Sequence, residues 1–263
     1  MYKRITLILL PFMIFLASAV LSFAEVSFDT NSTGKGVVGV AYASGGKRVK
    51  VMIERGSSKY TYNLDPSGKT EYFPLQMGNG EYKISVLENV SGSKYSFVDT
   101  QKIQLNLADP NIVYLNSVQN VRWDSGYASI KNGKKLSEAE KNFGKKLRIL
   151  YDHMVKGYKY DYDKIPRLTP EYSPDVEATY REKKGICYDY SALLAAMQRS
   201  QGLPTKLVKG YASGVEGYHA WNEVLIDGQW VVVDTTFDSA LWGGKGKYSM
   251  IKNSGDYKKV NEY

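Results

Sequence analysis

The chain has 263 residues, 43 % of them hydrophobic, and its 35 basic and 27 acidic side chains leave a net charge of +8. That length and apolar share exclude a disordered or fibrous chain and leave room for two modest domains, each with its own core. A single cysteine excludes an internal disulfide framework, and the lysines are scattered rather than gathered into a nucleic-acid-binding motif.

Residues 1–24 read as an export signal. Lys3 and Arg4 precede an almost wholly apolar run from Ile5 to Leu21, and Ser22 and Ala24 put small residues where a signal peptidase cuts. Cleavage after Ala24 is expected, leaving an extracytoplasmic protein that is secreted or held at the cell surface. A retained segment would instead be a membrane anchor. Outside the cytoplasm the basic surplus suits an anionic cell-wall polymer, and no nucleic acid is expected as a partner.

Residues 25–120 follow a β pattern. Short β-branched or aromatic runs at Gly36 to Tyr42, Arg48 to Arg55, Tyr60 to Leu64, Lys83 to Leu87 and Lys102 to Leu107 alternate with turn signals such as Asp65-Pro66-Ser67-Gly68. Short strands at this spacing predict a small all-β sandwich without catalytic residues, a spacer or recognition module.

A second domain, residues 133–263, is expected to open after Asn132-Gly133. Ser137 and Glu140 read as a capping box, followed by an apolar helical face at Phe143, Leu147, Leu150 and Met154. After a tyrosine-rich loop, Ser173-Pro174 reads as the start of a short helix ending near Gly185. Cys187 comes next, then an apolar helix from Ser191 to Arg199 closed by Gly202-Leu203-Pro204. Thr205 to Tyr211, His219 to Ile226 and Gln229 to Thr236 read as strands, so this domain is α+β. The tail after Ala240 reads as a mobile edge.

Cys187, His219 and Asp234 carry the chemistry. A thiol at a helix N-terminus meets free N–H groups and a partial positive charge, which favour the thiolate and can bind an oxyanion. Asp227-Gly228 predicts a two-residue hairpin turn that pairs Ile226 with Gln229 and Leu225 with Trp230. By extension His219 and Asp234 become diagonal neighbours on one face, roughly 7–8 Å apart at the backbone. A one-residue slip would separate them. The plain alternatives are an inert buried cysteine, a packed strand histidine and a strand-end cap. His153, with no acid placed to orient it, reads as structural.

These residues resemble the transglutaminase-like (transglutaminase core) cysteine protease superfamily, in the manner of a secreted microbial member. The resemblance runs from about Tyr158 to Asp238 in three blocks. They are Gly185-Ile186-Cys187 with Tyr190, Leu193, Arg199 and Gly202-Leu203-Pro204; His219-Ala220-Trp221-Asn222-Glu223-Val224; and Asp227-Gly228-Gln229-Trp230 with Asp234-Thr235-Thr236. It implies a papain-like α+β core in which Cys187 is the nucleophile, His219 the base and then acid, and Asp234 the residue that orients the imidazole. Trp221 would wall the site, and Tyr160 or Tyr180 would supply a further oxyanion donor. The substrate would be a protein or peptide amide, in a peptidase, amidase or transamidase reaction.

Animal transglutaminases carry Gly-Gln-Cys-Trp where this chain has Gly185-Ile186-Cys187-Tyr188. Their cross-linking and calcium dependence are therefore not carried over. Asp161-Tyr162-Asp163 is too short for a calcium loop, so no metal or cofactor is expected. The rival expectation is a surface binding or adhesion protein that uses this domain as a scaffold.

Overall fold

The computed structural model describes residues 25–263; the expected export signal lies outside them. Among the described residues no helix is long and apolar enough to cross a membrane.

The first half is built from seven strands, β1 (Ser27–Asp29), β2 (Val37–Ala41), β3 (Val49–Arg55), β4 (Ser58–Leu64), β5 (Glu71–Pro74), β6 (Gly80–Ser91) and β7 (Lys94–Leu105). They form a three-stranded sheet, β1-β2-β5, and a four-stranded sheet, β4-β3-β6-β7. Alternation decides what faces inward: Val49, Val51 and Ile53 on β3 are buried while Lys50, Met52 and Glu54 are not. They meet Val38 and Val40 of β2, Phe73 of β5 and Tyr82, Ile84 and Val86 of β6 in one core, so the region is a sandwich as expected.

The second half holds five helices and seven strands: α1 (Ala128–Ser137), α2 (Phe143–Gly157), β8 (Lys159–Tyr160), α3 (Val176–Glu182), β9 (Lys184–Gly185), α4 (Cys187–Arg199), β10 (Thr205–Ala212), β11 (His219–Ile226), β12 (Gln229–Val233), α5 (Thr235–Gly243), β13 (Ile251–Lys252) and β14 (Tyr257–Glu262). The five-stranded sheet runs β13-β12-β11-β10-β14 and is antiparallel throughout. β8 and β9 make a short parallel pair.

α4 is the centre of this α+β core. Every residue from Tyr188 to Arg199 is buried, which an all-round apolar helix requires. Polar contacts at both ends hold it in place. Arg199 donates to the carbonyls of Asn116, Thr205 and Tyr263, and Asn222 on β11 donates to the Ser191 carbonyl at 3.0 Å.

The helix boundaries differ from expectation. Asn132-Gly133, after which the second domain is expected to open, lies inside α1, where a Cβ on Gly133 would stand 3.1 Å from Met197 of α4, so the glycine lets the two helices approach. Ser137 ends α1 with its hydroxyl on the Gly133 carbonyl, and Asn142 caps α2 by accepting from the Lys145 N–H. Asp175, rather than Ser173, caps α3. The tail after Ala240 is also no loose edge: it supplies the end of α5 and both outer strands of the sheet, β13 and β14.

The halves meet through Tyr60, Tyr62 and Tyr263, whose rings pack edge to face, and through Asn120, which donates to the Tyr188 hydroxyl at 2.6 Å.

Candidate active site

Cys187 is the first residue of α4, and its approach is locked by Asp189 two residues later. The buried Asp189 carboxylate accepts from the Ile186 N–H at 2.9 Å, half of a capping box. It also takes the Lys164 ammonium at 2.7 Å and a hydrogen bond from Tyr172, both from the tyrosine-rich loop. One carboxylate thus ties that loop to the turn in front of the thiol. Tyr190 N–H bonds back to the Ile186 carbonyl and begins the helical ladder, so the N–H groups of the first turn face away from it.

His219 opens β11 and Asp234 ends β12. Asp227 and Gly228 take positive φ values of 49° and 78°, the left-handed pair that a type I′ turn needs. Ile226 pairs with Gln229 and Leu225 with Trp230, the register expected from the sequence. His219 Nε2 stands 2.7 Å from Asp234 Oδ2, with His219 5 % exposed and Asp234 fully buried.

Asp234 has two further bonds. Its Oδ1 accepts from the Phe237 N–H at 3.0 Å as the N-cap of α5, and its Oδ2 accepts from the Tyr257 hydroxyl at 3.1 Å. With Nε2 committed to Asp234, Nδ1 is the ring nitrogen left for the thiol. Burial disfavours a charged His219 ring, but the Asp234 hydrogen bond and the neighbouring Cys187 sulfur outweigh it and raise the ring's pKa to about 10.

Among the tyrosines, Tyr160 comes to this group and Tyr180 does not. The half-buried Tyr160 hydroxyl is near enough to Cys187 to feel its sulfur. Burial first, and that sulfur second, push its pKa up to about 12. Tyr180 sits on α3 with the Lys183 ammonium 4.0 Å above its ring. Trp221 corrects another expectation. It is 1 % exposed, stacks at 24° behind His219 and packs edge-on against Tyr257 at 5.1 Å. It supports the imidazole from beneath rather than walling the site.

Two residues were missed at the sequence level. Tyr257 lies in the unassigned tail. Lys209, on β10, has its ammonium 3.4 Å from the Tyr188 ring centroid and feels the charge of Cys187. His153 stays outside the group: it packs against Tyr158 at 5.7 Å, and burial lowers its pKa.

Among the described residues no cluster of three or more histidine, cysteine or acidic side chains is arranged to hold a metal ion. Asp161 and Asp163 are taken up by Lys184 at 2.9 and 3.0 Å.

Residues 131–235 match the model of the Transglutaminase-like superfamily, a span that contains Cys187, His219 and Asp234. The core accordingly has the transglutaminase-like, papain-like α+β fold, preceded by the β-rich region. Kyphoscoliosis peptidases of Homo sapiens and Mus musculus are 36 % identical over 72 residues, covering 23 % of this chain and 11 % of theirs. The chain therefore matches only a small part of the length of these relatives.

Among solved structures, a candidate cysteine protease from Cytophaga hutchinsonii overlaps 82 % of this chain and 84 % of its own at 18 % identity and a TM-score of 0.45. The periplasmic domain of TgpA from Pseudomonas aeruginosa overlaps 73 % and 90 % at 14 % identity and a TM-score of 0.39. Likenesses at this level add no argument to the family match.

Proposed function

We propose that the protein is a thiol-dependent acyl-transfer enzyme acting on amide bonds of proteins or peptides, with Cys187, His219 and Asp234 as its catalytic residues. The observation that carries this reading is the buried His219 ring, bonded to Asp234 through Nε2 and neighboured by the Cys187 sulfur at the start of α4. The family match supports thiol chemistry in general terms; the assignment of these three residues is our reading of the His219–Asp234 bond and of Cys187 at the start of α4.

In the reaction, Cys187 gives its proton to His219 and the sulfur attacks the amide carbonyl carbon. The negative charge that develops on the carbonyl oxygen is met by the Cys187 N–H and the Tyr160 hydroxyl, both at the mouth of α4. His219 then protonates the departing amine as the C–N bond breaks, leaving a thioester on Cys187. Water, or a second amine, attacks the thioester with His219 again as base. Asp234 keeps the imidazole in one tautomer and stabilises its charged form.

The choice between hydrolysis and transfer lies in what reaches the thioester. Mass spectrometry of products from a peptide library, incubated with a labelled primary amine, reads both outcomes together. Labelled products assign transamidation and cleaved peptides assign hydrolysis. A Cys187→Ala protein that still forms either product sinks the proposal.

The same reading includes an extracytoplasmic location, supported by the composition of residues 1–24, and an anionic wall polymer as a surface partner, supported by the net charge of +6 that remains once Lys3 and Arg4 are removed. A mature N-terminus at Glu25 in the exported protein is the expected check on the first. Salt-sensitive retention on purified wall polymer is the check on the second.

A further inference from the structure

Between the β-rich region and the core lies a cavity of about 420 Å³, lined among others by Tyr62, Tyr172, Tyr188, Tyr263 and Lys209. None of Cys187, His219 and Asp234 lines it, but two of its residues neighbour the candidate nucleophile: Tyr188 follows Cys187 on α4, and the Lys209 ammonium is near enough to feel the charge of Cys187.

Lys209 is the unusual member. Its ammonium is covered by the Tyr188 ring at 3.4 Å and the Tyr263 ring at 5.2 Å, which offer cation–π attraction without neutralising the charge. Among the described residues no carboxylate stands within ion-pair distance of it and no acceptor bonds it. Burial lowers its pKa to about 8, so it still carries a proton at neutral pH.

Every other cation on the cavity wall has an acceptor. Arg122 is paired with Glu71, Lys47 with Glu88 at 2.6 Å, and Arg48 with Asn89 and the Gly92 carbonyl. Of the lining carboxylates, Glu71 is taken by Arg122, while Asp65 and Glu171 are exposed to water. A half-buried cation in an aromatic setting is costly unless something pairs with it, and here a carboxylate from outside could do so.

We infer that this cavity receives a carboxylate of the substrate, on a peptidic acyl donor close to the amide under attack, and that Lys209 is the cation that binds it. The Tyr188 and Tyr62 hydroxyls, which accept from Asn120 and Gln76 and so keep their own protons, supply further donors, and the rings around the cavity pack on the adjoining peptide. This rests on the reading of Cys187 as the nucleophile, and the test separates the two.

Iodoacetate and iodoacetamide alkylate the same sulfur with the same leaving group and differ by one negative charge. The ratio of their rates at Cys187 therefore reads the local attraction for an anion, because the reactive fraction of the thiol cancels. His219 contributes to that ratio in every variant, so a change on substitution belongs to Lys209. Lys209→Met is expected to lower the ratio about tenfold, Lys209→Arg to keep it, and added salt to narrow the difference. Circular dichroism and a urea midpoint establish that each variant is folded, and Lys209→Gln replaces the methionine variant should that one unfold. An unchanged ratio in a folded variant overturns the anion site while leaving the nucleophile standing. Failure of both reagents to modify Cys187 in the unaltered protein overturns the nucleophile, and the anion site with it.

Discussion

Tyr257 donates to Asp234 Oδ2 at 3.1 Å, the same oxygen that holds His219 Nε2 at 2.7 Å. One carboxylate oxygen therefore serves two donors, one from β11 and one from the outer strand β14. The tyrosine fixes the carboxylate from one side and packs on Trp221, which lies beneath the histidine.

Tyr257→Phe keeps the ring packing and removes only the hydroxyl. A hydrogen bond to a charged group contributes about 1.5–3 kcal/mol, and part of that serves orientation of the imidazole. The expected result is a kcat lower by about tenfold with KM unchanged, measured by steady-state kinetics on any substrate the library identifies. A KM effect alone would count against the bracing role.

His219 sets a pH signature. Its pKa is raised from 6.5 to about 10 in the folded protein, so folding favours the protonated ring. The stability that this contributes is fully present below the unfolded value near 6.5 and is lost as pH rises through about 10. NMR of the imidazole is expected to show the protonated form still dominant at pH 8, and Asp234→Asn to move the titration down. Unfolding midpoints taken across the same window should fall with pH in the unaltered protein and flatten in His219→Ala.

Asp189 anchors Lys164, Tyr172 and the Ile186 N–H at once, from full burial. Asp189→Ala leaves a partly buried ammonium and a helix N-terminus without their acceptor. Breaking such a pair from one side costs roughly 3–5 kcal/mol. A urea titration should show that loss, and the alkylation rate of Cys187 should change with it, because the same carboxylate sets the turn before the thiol.

Gly210 lies where β10 meets β14. A Cβ there would fall 2.1 Å from the Lys258 carbonyl oxygen and 2.9 Å from the Trp221 ring, so the backbone of β14 would have to move. Gly210→Ala is expected to destabilise by about 1–3 kcal/mol, as overpacking does, and to reduce activity through Tyr257. Thermal unfolding checks the first effect and the kcat of the folded fraction the second.

The His219–Asp234 relationship was legible because it is local. Asp227-Gly228 fixes the turn, the turn fixes the register, and two strands of alternating pattern carry it to both residues. The thiol at the head of α4 was legible for a similar reason, since the helix and its Gly202-Leu203-Pro204 stop are contiguous. What failed was of two kinds. Ser137 and Ser173 have the chemistry of caps, yet Asn142 and Asp175 nearby took that role. β14 reads Tyr-Lys-Lys-Val-Asn-Glu, a polar edge strand with little internal signal. Its pairing to β10 spans about fifty residues of sequence, so neither Tyr257 nor the cover over Lys209 could be read from local pattern.

The position of β14 has a consequence for how the site comes into being. A chain made from its N-terminus has its sulfur, its imidazole and its acid in hand well before Tyr257 is added. Until the outer strand docks on β10, the sheet lacks an edge and Asp234 Oδ2 lacks its second donor. Assembly therefore finishes at the periphery, and an unfinished chain holds the reactive groups without the clasp that aligns them.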